Sequence, residues 1–335
     1  MKITTGLAVI GLACAASVAN AADKLTVYSY RQAFLIDPIL ADFTKDTGIK
    51  VDVVFSKKGI AERMMREGRL SPADVVLTSD FSRLMELADK DLVAAVDSDK
   101  LKGNIPEEYR SPENDWYALT MRVRNVYSSR DRLGRLDIDY EDLADPKYKG
   151  KICTRSGKHP YNISLVASMI AHHGEADAKA WLQGLKSNLA RKPQGNDRAQ
   201  VKAVKEGLCD IAIGNSYYLG KMLQDPKQVP WAESVYINFP NQDNRGSHIN
   251  VSGMALAKHS PNKDNAIKLM EYLSSDKAQQ AYAEVNYEYP INADVAPSEL
   301  VASWGEFKAD KLPVFKLAEY HEAAVKLLDE VKFDL

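Results

Sequence analysis

The sequence predicts an α/β protein in which two doubly wound mixed sheets are joined by a β-strand hinge. Short β-rich runs alternate with helical stretches almost throughout the 335 residues, which is typical of parallel sheets covered by helices on both faces. Two longer β-rich runs interrupt this rhythm, and each divides regions that look like complete α/β units. A chain of this length usually forms about two domains, so the two units are expected to be separate lobes.

The predicted elements follow one another along the whole chain after its first twenty-odd residues. The β-rich runs predict strands at residues 24–30, 49–55, 73–79, 118–129, 151–156, 209–216, 233–240 and 249–258. Helices fill the gaps, at about 36–47, 59–67, 80–89, 161–173, 176–188, 197–206, 217–224, 262–274, 276–285 and 313–331. Gly48 is a typical helix-ending residue and closes the first helix.

The two long strands, 118–129 and 249–258, are the candidates for the hinge. If both cross between the lobes, the first lobe contains residues 22–120 plus 250–300. The second lobe then contains residues 121–249 plus 301–335. A cleft would lie between them.

The first 21 residues have the pattern of a secretory signal peptide. Lys2 supplies a positive charge, an apolar run extends from about residue 7 to residue 18, and Ala19-Asn20-Ala21 offers a small-residue cleavage site. The apolar run is too short for a permanent transmembrane helix. We therefore expect export to the periplasm with cleavage after about Ala21.

Charge and motifs exclude several classes of function. The chain has 44 Lys and Arg against 46 Asp and Glu, a net charge of −2, so no overall positive field favours nucleic acid. Neither GxGxxG, GxxxxGK[ST] nor GxSxG occurs. His321-Glu322 begins an HExxH-like motif, but Val325 stands where the second His is needed. An enzyme is therefore not predicted.

Two cysteines remain after cleavage of the signal, Cys153 and Cys209. Both stand at the starts of strand-like segments, and an even pair in an oxidising compartment can form one disulfide. Their spacing does not match a soft-metal site. The sequence by itself leaves open whether they pair.

Three tyrosines stand where predicted strands give way to helices. Tyr217 and Tyr218 lie in GNSYYLG, and Tyr161 occupies the equivalent position after KICTRS. In doubly wound sheets the carboxyl ends of strands and the adjacent helix N-termini are where ligands bind. These phenols are therefore expected to converge on the cleft, although tyrosines of this kind also occur simply at the edges of cores.

Clustered phenols suit a hard cation. A phenol with a pKa near 10 ionises at neutral pH only next to strong positive charge, which a trivalent metal supplies. Oxygen anions suit hard ions such as Fe(III), and helix N-termini can hold a small anion beside the metal. The pattern therefore predicts an iron(III) site, with packing of the rings as the alternative.

From about Leu25 onwards the chain resembles the periplasmic ferric-iron-binding proteins of bacterial ABC importers. The resemblance rests on VYSYR, IAERMMREG followed by PADVVLTSD, DLADPKYKGKICTRSG, GNSYYLG, NVSGMALAKHSPN and the EYP at Glu288 to Pro290. It implies the bilobal periplasmic-binding-protein fold. It also implies that Tyr161, Tyr217 and Tyr218 are iron ligands and that Arg122 lies near the metal or its anion.

The sequence departs from that family in one place. Relatives often supply a His or another Tyr after the first strand, whereas this chain reads Tyr30-Arg31-Gln32-Ala33-Phe34. We therefore expect three tyrosine ligands, completed by carbonate, bicarbonate or a similar anion held by Arg31, Gln32 or Arg122. Tyr28 or Tyr30 as an added ligand is the less favoured alternative, and no histidine stands at a matching position.

The resemblance implies a monomeric binding protein that captures ferric iron or a small iron chelate and delivers it to an inner-membrane ABC permease. The alternatives are a related binding protein for a polyamine or small oxyanion and, more distantly, a secreted hydrolase. Aromatic walls with carboxylates, or helix amides without phenolates, would indicate the first alternative.

Overall fold

The computed structural model describes residues 24–335, so the predicted signal peptide and its cleavage site lie outside the described residues. The strands, in chain order, are β1 (Lys24–Ser29), β2 (Lys50–Phe55), β3 (Val75–Thr78), β4 (Val93–Ala94), β5 (Tyr117–Ser129), β6 (Ile152–Cys153), β7 (Ile211–Asn215), β8 (Val235–Asn238), β9 (Ile249–Ala257) and β10 (Tyr289–Pro290).

The helices cover both faces of the strands. They are α1 (Asp37–Thr47), α2 (Ile60–Glu67), α3 (Phe81–Asp89), α4 (Asp99–Asn104), α5 (Pro160–Ser187), α6 (Asp197–Lys205), α7 (Tyr217–Leu223), α8 (Val229–Ala232), α9 (Lys263–Ser274), α10 (Asp276–Asn286), α11 (Glu299–Ala302), α12 (Lys316–Glu319) and α13 (His321–Glu330). Short 3-10 turns lie at Ala33–Leu35, Gly68–Leu70, Glu107–Tyr109, Glu141–Ala144 and Pro146–Tyr148. No helix of the described chain is long and apolar enough to cross a bilayer.

The mixed strand arrangement confirms the predicted fold class. Hydrogen-bonded neighbours follow the order β2-β1-β3-β9-β5-β7-β6, with β4 on β9 and with β8 and β10 on β5. Strands β1, β2 and β3 are parallel, as are β6 and β7, whereas β5 and β9 run antiparallel to their neighbours. We call the part from β2 to the first half of β5 the first sheet, and the part from the second half of β5 to β6 the second sheet.

Strand β5 joins the two sheets. Its residues 117–123 pair with β9 in the first sheet, and residues 124–129 pair with β7 and β8 in the second. The other predicted crossing strand, β9, begins at this junction, where Ile249 lies opposite Val123. The Arg124 amide donates to the His248 carbonyl there, at 3.0 Å.

In the second sheet, successive residues along each strand point to opposite faces, and both faces are buried, as a doubly wound sheet requires. Val126, Ile152 and Ile211 belong to a core shared with α5 and α13. Their neighbours Tyr127, Cys153 and Ala212 belong to the core on the opposite face, which continues into the first sheet.

Some predicted bounds differ from the structure. The predicted strand 151–156 shortens to β6, because the next residues wrap Asn162, whose side-chain NH2 donates to Thr154 Oγ1 and to the carbonyls of Arg155 and Ser156. The predicted helix 313–331 is divided into α12 and α13 at Tyr320. Conversely, α5 joins the predicted helices 161–173 and 176–188, with a kink at Gly174, whose φ is 79°.

Three long-range contacts fix the elements that carry the tyrosines. Cys153 and Cys209 form a disulfide with Cα atoms 5.9 Å apart, which ties β6 to the start of β7. Gly220 in α7 lies against Tyr287, and a Cβ at Gly220 would lie 2.3 Å from Cγ of that ring. Lys221 Nζ also donates to the Val285 carbonyl of α10, at 2.7 Å.

Candidate functional site

The candidate site is a cavity of about 240 Å³ between the ends of β1, β6 and β7 and the middle of β5. All six residues predicted for the site line it: Arg31, Gln32, Arg122, Tyr161, Tyr217 and Tyr218. The parallel pairing of β6 with β7 explains part of this convergence. Carboxyl ends of parallel neighbours meet at one sheet edge, so the helices that follow them begin side by side.

The three phenols are close together. The hydroxyl oxygens of Tyr161 and Tyr217 are 3.4 Å apart, and the rings of Tyr217 and Tyr218 lie with centroids 4.2 Å apart. Oxygen ligands lie about 2 Å from small hard cations, so two that share one such ion are no more than about 4 Å apart. The Tyr161 and Tyr217 oxygens meet this condition.

Burial favours the protonated form of Tyr217 and Tyr218 when no metal ion is bound. It raises the pKa of Tyr217 well above 10, and the neighbouring Tyr161 and Tyr218 raise it further, against a lowering by Arg122. Burial is also the main cause that raises the pKa of Tyr218. A positive ion that binds both oxygens must therefore displace their protons.

Arg122 is a buried cation that faces this cavity. Its side chain is 1% exposed, and none of its three guanidinium nitrogens has a hydrogen-bond acceptor among the described residues. The nearest carboxylate oxygen, Glu288 Oε1, lies 3.8 Å away. Since buried polar groups in proteins normally find a partner, these donors are suited to an anionic ligand in the cavity.

Glu288 organises the cations of the hinge region. Its Oε2 accepts from Arg31 Nη2 at 2.7 Å and from the Thr120 hydroxyl at 2.7 Å. Burial raises the pKa of Glu288, but the charges of Arg31 and Arg122 outweigh burial and hold the pKa below its usual range. The carboxyl group is thus ionised and partly balances two guanidinium groups.

The remainder of the lining is also cationic. Lys57 and Arg83 contribute further positive charges, and Glu288 is the one carboxylate in the lining that the described residues form. Gln32 lies at the exposed rim of the cavity. A surplus of positive charge around neutral phenols favours a ligand that brings negative oxygens with it.

The first strand offers a weaker case for a ligand. The Tyr28 hydroxyl donates to Glu67 at 2.9 Å and does not line the cavity. Tyr30 lines the cavity, but its hydroxyl accepts the Ala61 amide at 3.3 Å and its ring lies 4.1 Å from the Arg83 guanidinium carbon. The structure thus separates the two tyrosines that the sequence offered as alternative added ligands, because only Tyr30 lines the cavity.

A second guanidinium group supports the tyrosine segments from behind. Arg124 donates to Asn162, Asn215 and Asp197, and Arg155 also donates to Asp197.

Sequence reasoning missed Arg124, although it is two residues from Arg122 and strand alternation places both on one face. It also assigned no role to Glu288, which only the fold brings to β5.

The part of the chain that the structure describes offers no metal site built from histidine, cysteine and carboxylate side chains. Among residues 24–335, no three His, Cys, Asp or Glu side chains are grouped so that they could hold a metal ion. His159 is next to the site, but its Nδ1 accepts the Tyr161 amide at 3.3 Å, which caps α5. Burial lowers the pKa of His159 to about 3, and Arg155 contributes to the lowering, so the ring is neutral.

Comparison with known proteins identifies the family. The family model of the bacterial extracellular solute-binding protein matches residues 71–306. The chain is 42% identical over 311 residues to iron uptake protein A1 of Synechocystis, which covers 92% of this chain and 86% of that protein.

Solved structures agree with this relationship. Ferric iron-binding protein A of Mannheimia haemolytica, in an open conformation, is 56% identical with a TM-score of 0.90, over 94% of this chain and all of that one. A Trichodesmium protein, IdiA or FutA, in complex with iron and citrate is 39% identical with a TM-score of 0.88, over 92% of this chain and 99% of that one.

These matches confirm the bilobal solute-binding fold and the resemblance inferred from the sequence. They also confirm that the protein is a binding protein and not an enzyme, which removes the hydrolase alternative. The chain belongs to the bacterial extracellular solute-binding protein family.

Proposed function

We propose that this protein captures ferric iron in the periplasm and delivers it to an inner-membrane ABC permease. Tyr161, Tyr217 and Tyr218 hold the ion as phenolates. The observation that carries the proposal is the 3.4 Å separation of the Tyr161 and Tyr217 hydroxyl oxygens inside a cavity of about 240 Å³. Relatives named for iron uptake and ferric iron binding support it.

An anion completes the iron site. Arg122 is its main partner, because its guanidinium nitrogens are buried and lack acceptors among the described residues, and Arg31 and Gln32 lie at the same cavity. Carbonate or bicarbonate is the expected anion beside three phenolates. The iron and citrate in the Trichodesmium relative make a carboxylate the competing choice.

Closure of two lobes buries the ion. The first lobe comprises residues 22–120 plus 250–300, and the second comprises residues 121–249 plus 301–335, with residues 1–21 removed on export. The β5 crossing supports bending at the junction between Val123 and Arg124, where the strand changes partners. The protein acts as a monomer and needs no nucleic acid.

The test is iron loading followed by visible absorption. The mature chain, stripped of metal, receives ferric citrate with and without bicarbonate, and a phenolate-to-iron charge-transfer band is expected in the visible range. The Phe variants of Tyr161, Tyr217 and Tyr218 should each weaken binding by more than the roughly 10–100-fold typical of changes outside the ligand shell.

Tyr236→Phe is the matched control. Tyr236 lies in β8 of the same sheet, with its ring 4.1 Å from the Arg130 guanidinium carbon and outside the cavity, so its hydroxyl should not affect the band. A protein that stays colourless under these conditions, or a Tyr217→Phe variant that binds as the parent does, would contradict the proposal.

Acid should release the iron. Burial raises the pKa of Tyr217 and of Tyr218, so each phenol that becomes a ligand must lose a proton. Affinity is then expected to fall about tenfold per pH unit for every proton displaced. Iron binding measured against citrate at pH 7 and pH 5 checks this, and equal affinities would count against phenolate ligation.

A small-oxyanion binding protein is the second candidate. The cationic lining of Arg31, Lys57, Arg83 and Arg122 favours it, whereas a single carboxylate argues against a polyamine. Calorimetric titration of the metal-free protein with phosphate, sulfate and bicarbonate separates the two functions. Tight anion binding that iron does not enhance would favour the oxyanion.

A further inference from the structure

Arg124 is buried between the two segments that carry the tyrosines. Its Nη2 donates to Asn162 Oδ1 at 2.7 Å, and its Nη1 donates to Asn215 Oδ1 at 3.0 Å. Asn162 directly follows Tyr161, and Asn215 precedes Tyr217 by two residues. One planar guanidinium group therefore bridges the start of α5 and the end of β7, as a rigid fork of donors can.

Asp197 closes the same network from α6. Its Oδ2 accepts from Arg124 Nη1 at 2.6 Å and from the Asn215 amide at 2.9 Å, and its Oδ1 accepts from Arg155 Nη1 at 3.1 Å. The Asp197 side chain is fully buried. Both partners of the ion pair are thus held by several bonds, the condition under which a buried pair fixes one geometry.

Backbone pairing in the sheet does little to fix the position of Tyr161 relative to Tyr217. The ladder between β6 and β7 contains only two residue pairs and ends at Cys153, well before Tyr161. The chain from Thr154 to His159 forms no strand, so the position of Tyr161 relative to Tyr217 depends on side-chain bonds. Besides the contact between the two phenol hydroxyls, the Arg124 network connects the two segments through buried side-chain hydrogen bonds.

We infer that Arg124 and Asp197 are positioning residues that set the distance between the Tyr161 and Tyr217 oxygens. This inference rests on the proposed function. Arg124 does not line the cavity. It acts through the two segments it joins and through the Tyr161 ring, whose centroid lies 5.8 Å from its guanidinium carbon. Loss of its bridge is expected to move the phenol oxygens relative to each other, which changes how both can bind one iron.

The main test replaces Arg124 with Lys. Lysine keeps the charge opposite Asp197 but cannot donate to Asn162 and Asn215 with the same fork. Asn215→Ala is the milder variant, because Asn215 Oδ1 accepts from Arg124 while its Nδ2 has no partner among the described residues. Val126→Ala, on the same strand, is the control for lost stability, because Val126 packs in the core without touching the network.

Three quantities are measured: the urea midpoint of the iron-free protein, the iron affinity in competition with citrate, and the position and intensity of the charge-transfer band. Arg124→Lys should weaken iron binding about 10–100-fold and shift the band, as changes behind a ligand typically do. Asn215→Ala should act in the same direction with a smaller effect. Val126→Ala should lower the midpoint and leave the band unchanged.

A double variant adds a test of coupling. If Arg124 acts through Asn215, the combined loss of affinity in Arg124→Lys with Asn215→Ala should be smaller than the sum of the two single losses. Variants that lose stability but keep the parental band and affinity would overturn the inference and leave the proposed function standing. A parent protein without any band would overturn both.

Discussion

Arg122 and Arg124 lie two residues apart on β5, on opposite sides of the junction between the sheets, and their surroundings differ sharply. Arg124 lies opposite Asn215 in the second sheet and donates to three side chains. Arg122 lies opposite Asn250 in the first sheet, and its guanidinium nitrogens have no acceptor among the described residues. Both side chains are at most 2% exposed.

This difference separates a cation that the fold compensates from one whose donors have no acceptor among the described residues. A buried donor without an acceptor costs about 1–3 kcal/mol, so Arg122 lowers the stability of the empty protein. Arg124 contributes to stability because Asp197 compensates its charge. One strand thus carries two equal charges, of which one holds the protein together and the other is available to a ligand.

The largest expected effect comes from Arg124→Met. The change leaves the buried Asp197 with Arg155 as its one cationic partner among the described residues, and removal of one partner from a buried ion pair costs about 3–5 kcal/mol. The free energy of unfolding of the iron-free protein, from urea titration followed by circular dichroism, should fall by that amount. A loss below about 1 kcal/mol would contradict the conclusion that Arg124, unlike Arg122, stabilises the iron-free protein.

The matched change, Arg122→Met, should have the opposite profile. The free energy of unfolding of the iron-free protein should not fall, because the substitution removes unpaired buried donors. Iron affinity in bicarbonate, by contrast, should fall about 10–100-fold. Urea titration and citrate competition measure the two quantities. If stability falls as far as in Arg124→Met, Arg122 is a structural residue.

The variant Glu288→Gln tests the carboxylate beside Arg122 through the pH dependence of stability. Burial raises the pKa of Glu288, yet the charges of Arg31 and Arg122 hold it below 4.5. The unfolded chain therefore takes up this proton at higher pH than the folded protein, so the stabilisation is present above about pH 4.5 and is lost as pH falls through the folded pKa.

The variant should cost about 1.5 kcal/mol at pH 7, the value of a hydrogen bond to a charged group, and this difference should shrink in acid. Urea titrations at pH 7 and pH 3.5 measure it. A difference that stays constant between these pH values would show that Glu288 is not ionised beside Arg31 and Arg122.

The smallest effect is expected for Gln32→Ala. Gln32 lies at the cavity rim, but its side chain is exposed to water, and a single exchangeable hydrogen bond contributes about 0.5–1.5 kcal/mol at most. Iron affinity in bicarbonate should fall less than about tenfold. A larger loss would mean that the rim, and not Arg122, dominates the binding of the anion.

Local patterns predicted most of the fold and part of the site. The alternation of strands and helices and the strand-to-helix position of Tyr161 and Tyr217 depend on nearby residues, so the sequence was sufficient for them. The two-residue strands β4 and β10 were missed, because so short a run has no periodicity to detect.

The partners of the two arginines were not predictable in this way. Glu288 comes to Arg122 through β10, which pairs with β5, and Asp197 comes to Arg124 from the start of α6. Such contacts depend on tertiary packing and leave no mark in local spacing. The unpartnered Nη1 and Nη2 donors of Arg122, whose counterparts in Arg124 are hydrogen-bonded, exist only once the chain is folded.

The close contact between Gly220 and Tyr287 limits how this binding site can change. Helix α7 has only seven residues, too few to be stable alone, and glycine inside it costs about 1 kcal/mol relative to alanine. The bulk of Tyr287 nevertheless excludes every larger side chain from position 220. The segment that presents two phenols is thus ordered by a ring outside its own helix, at the end of α10. Substitution of either residue would therefore displace both phenols.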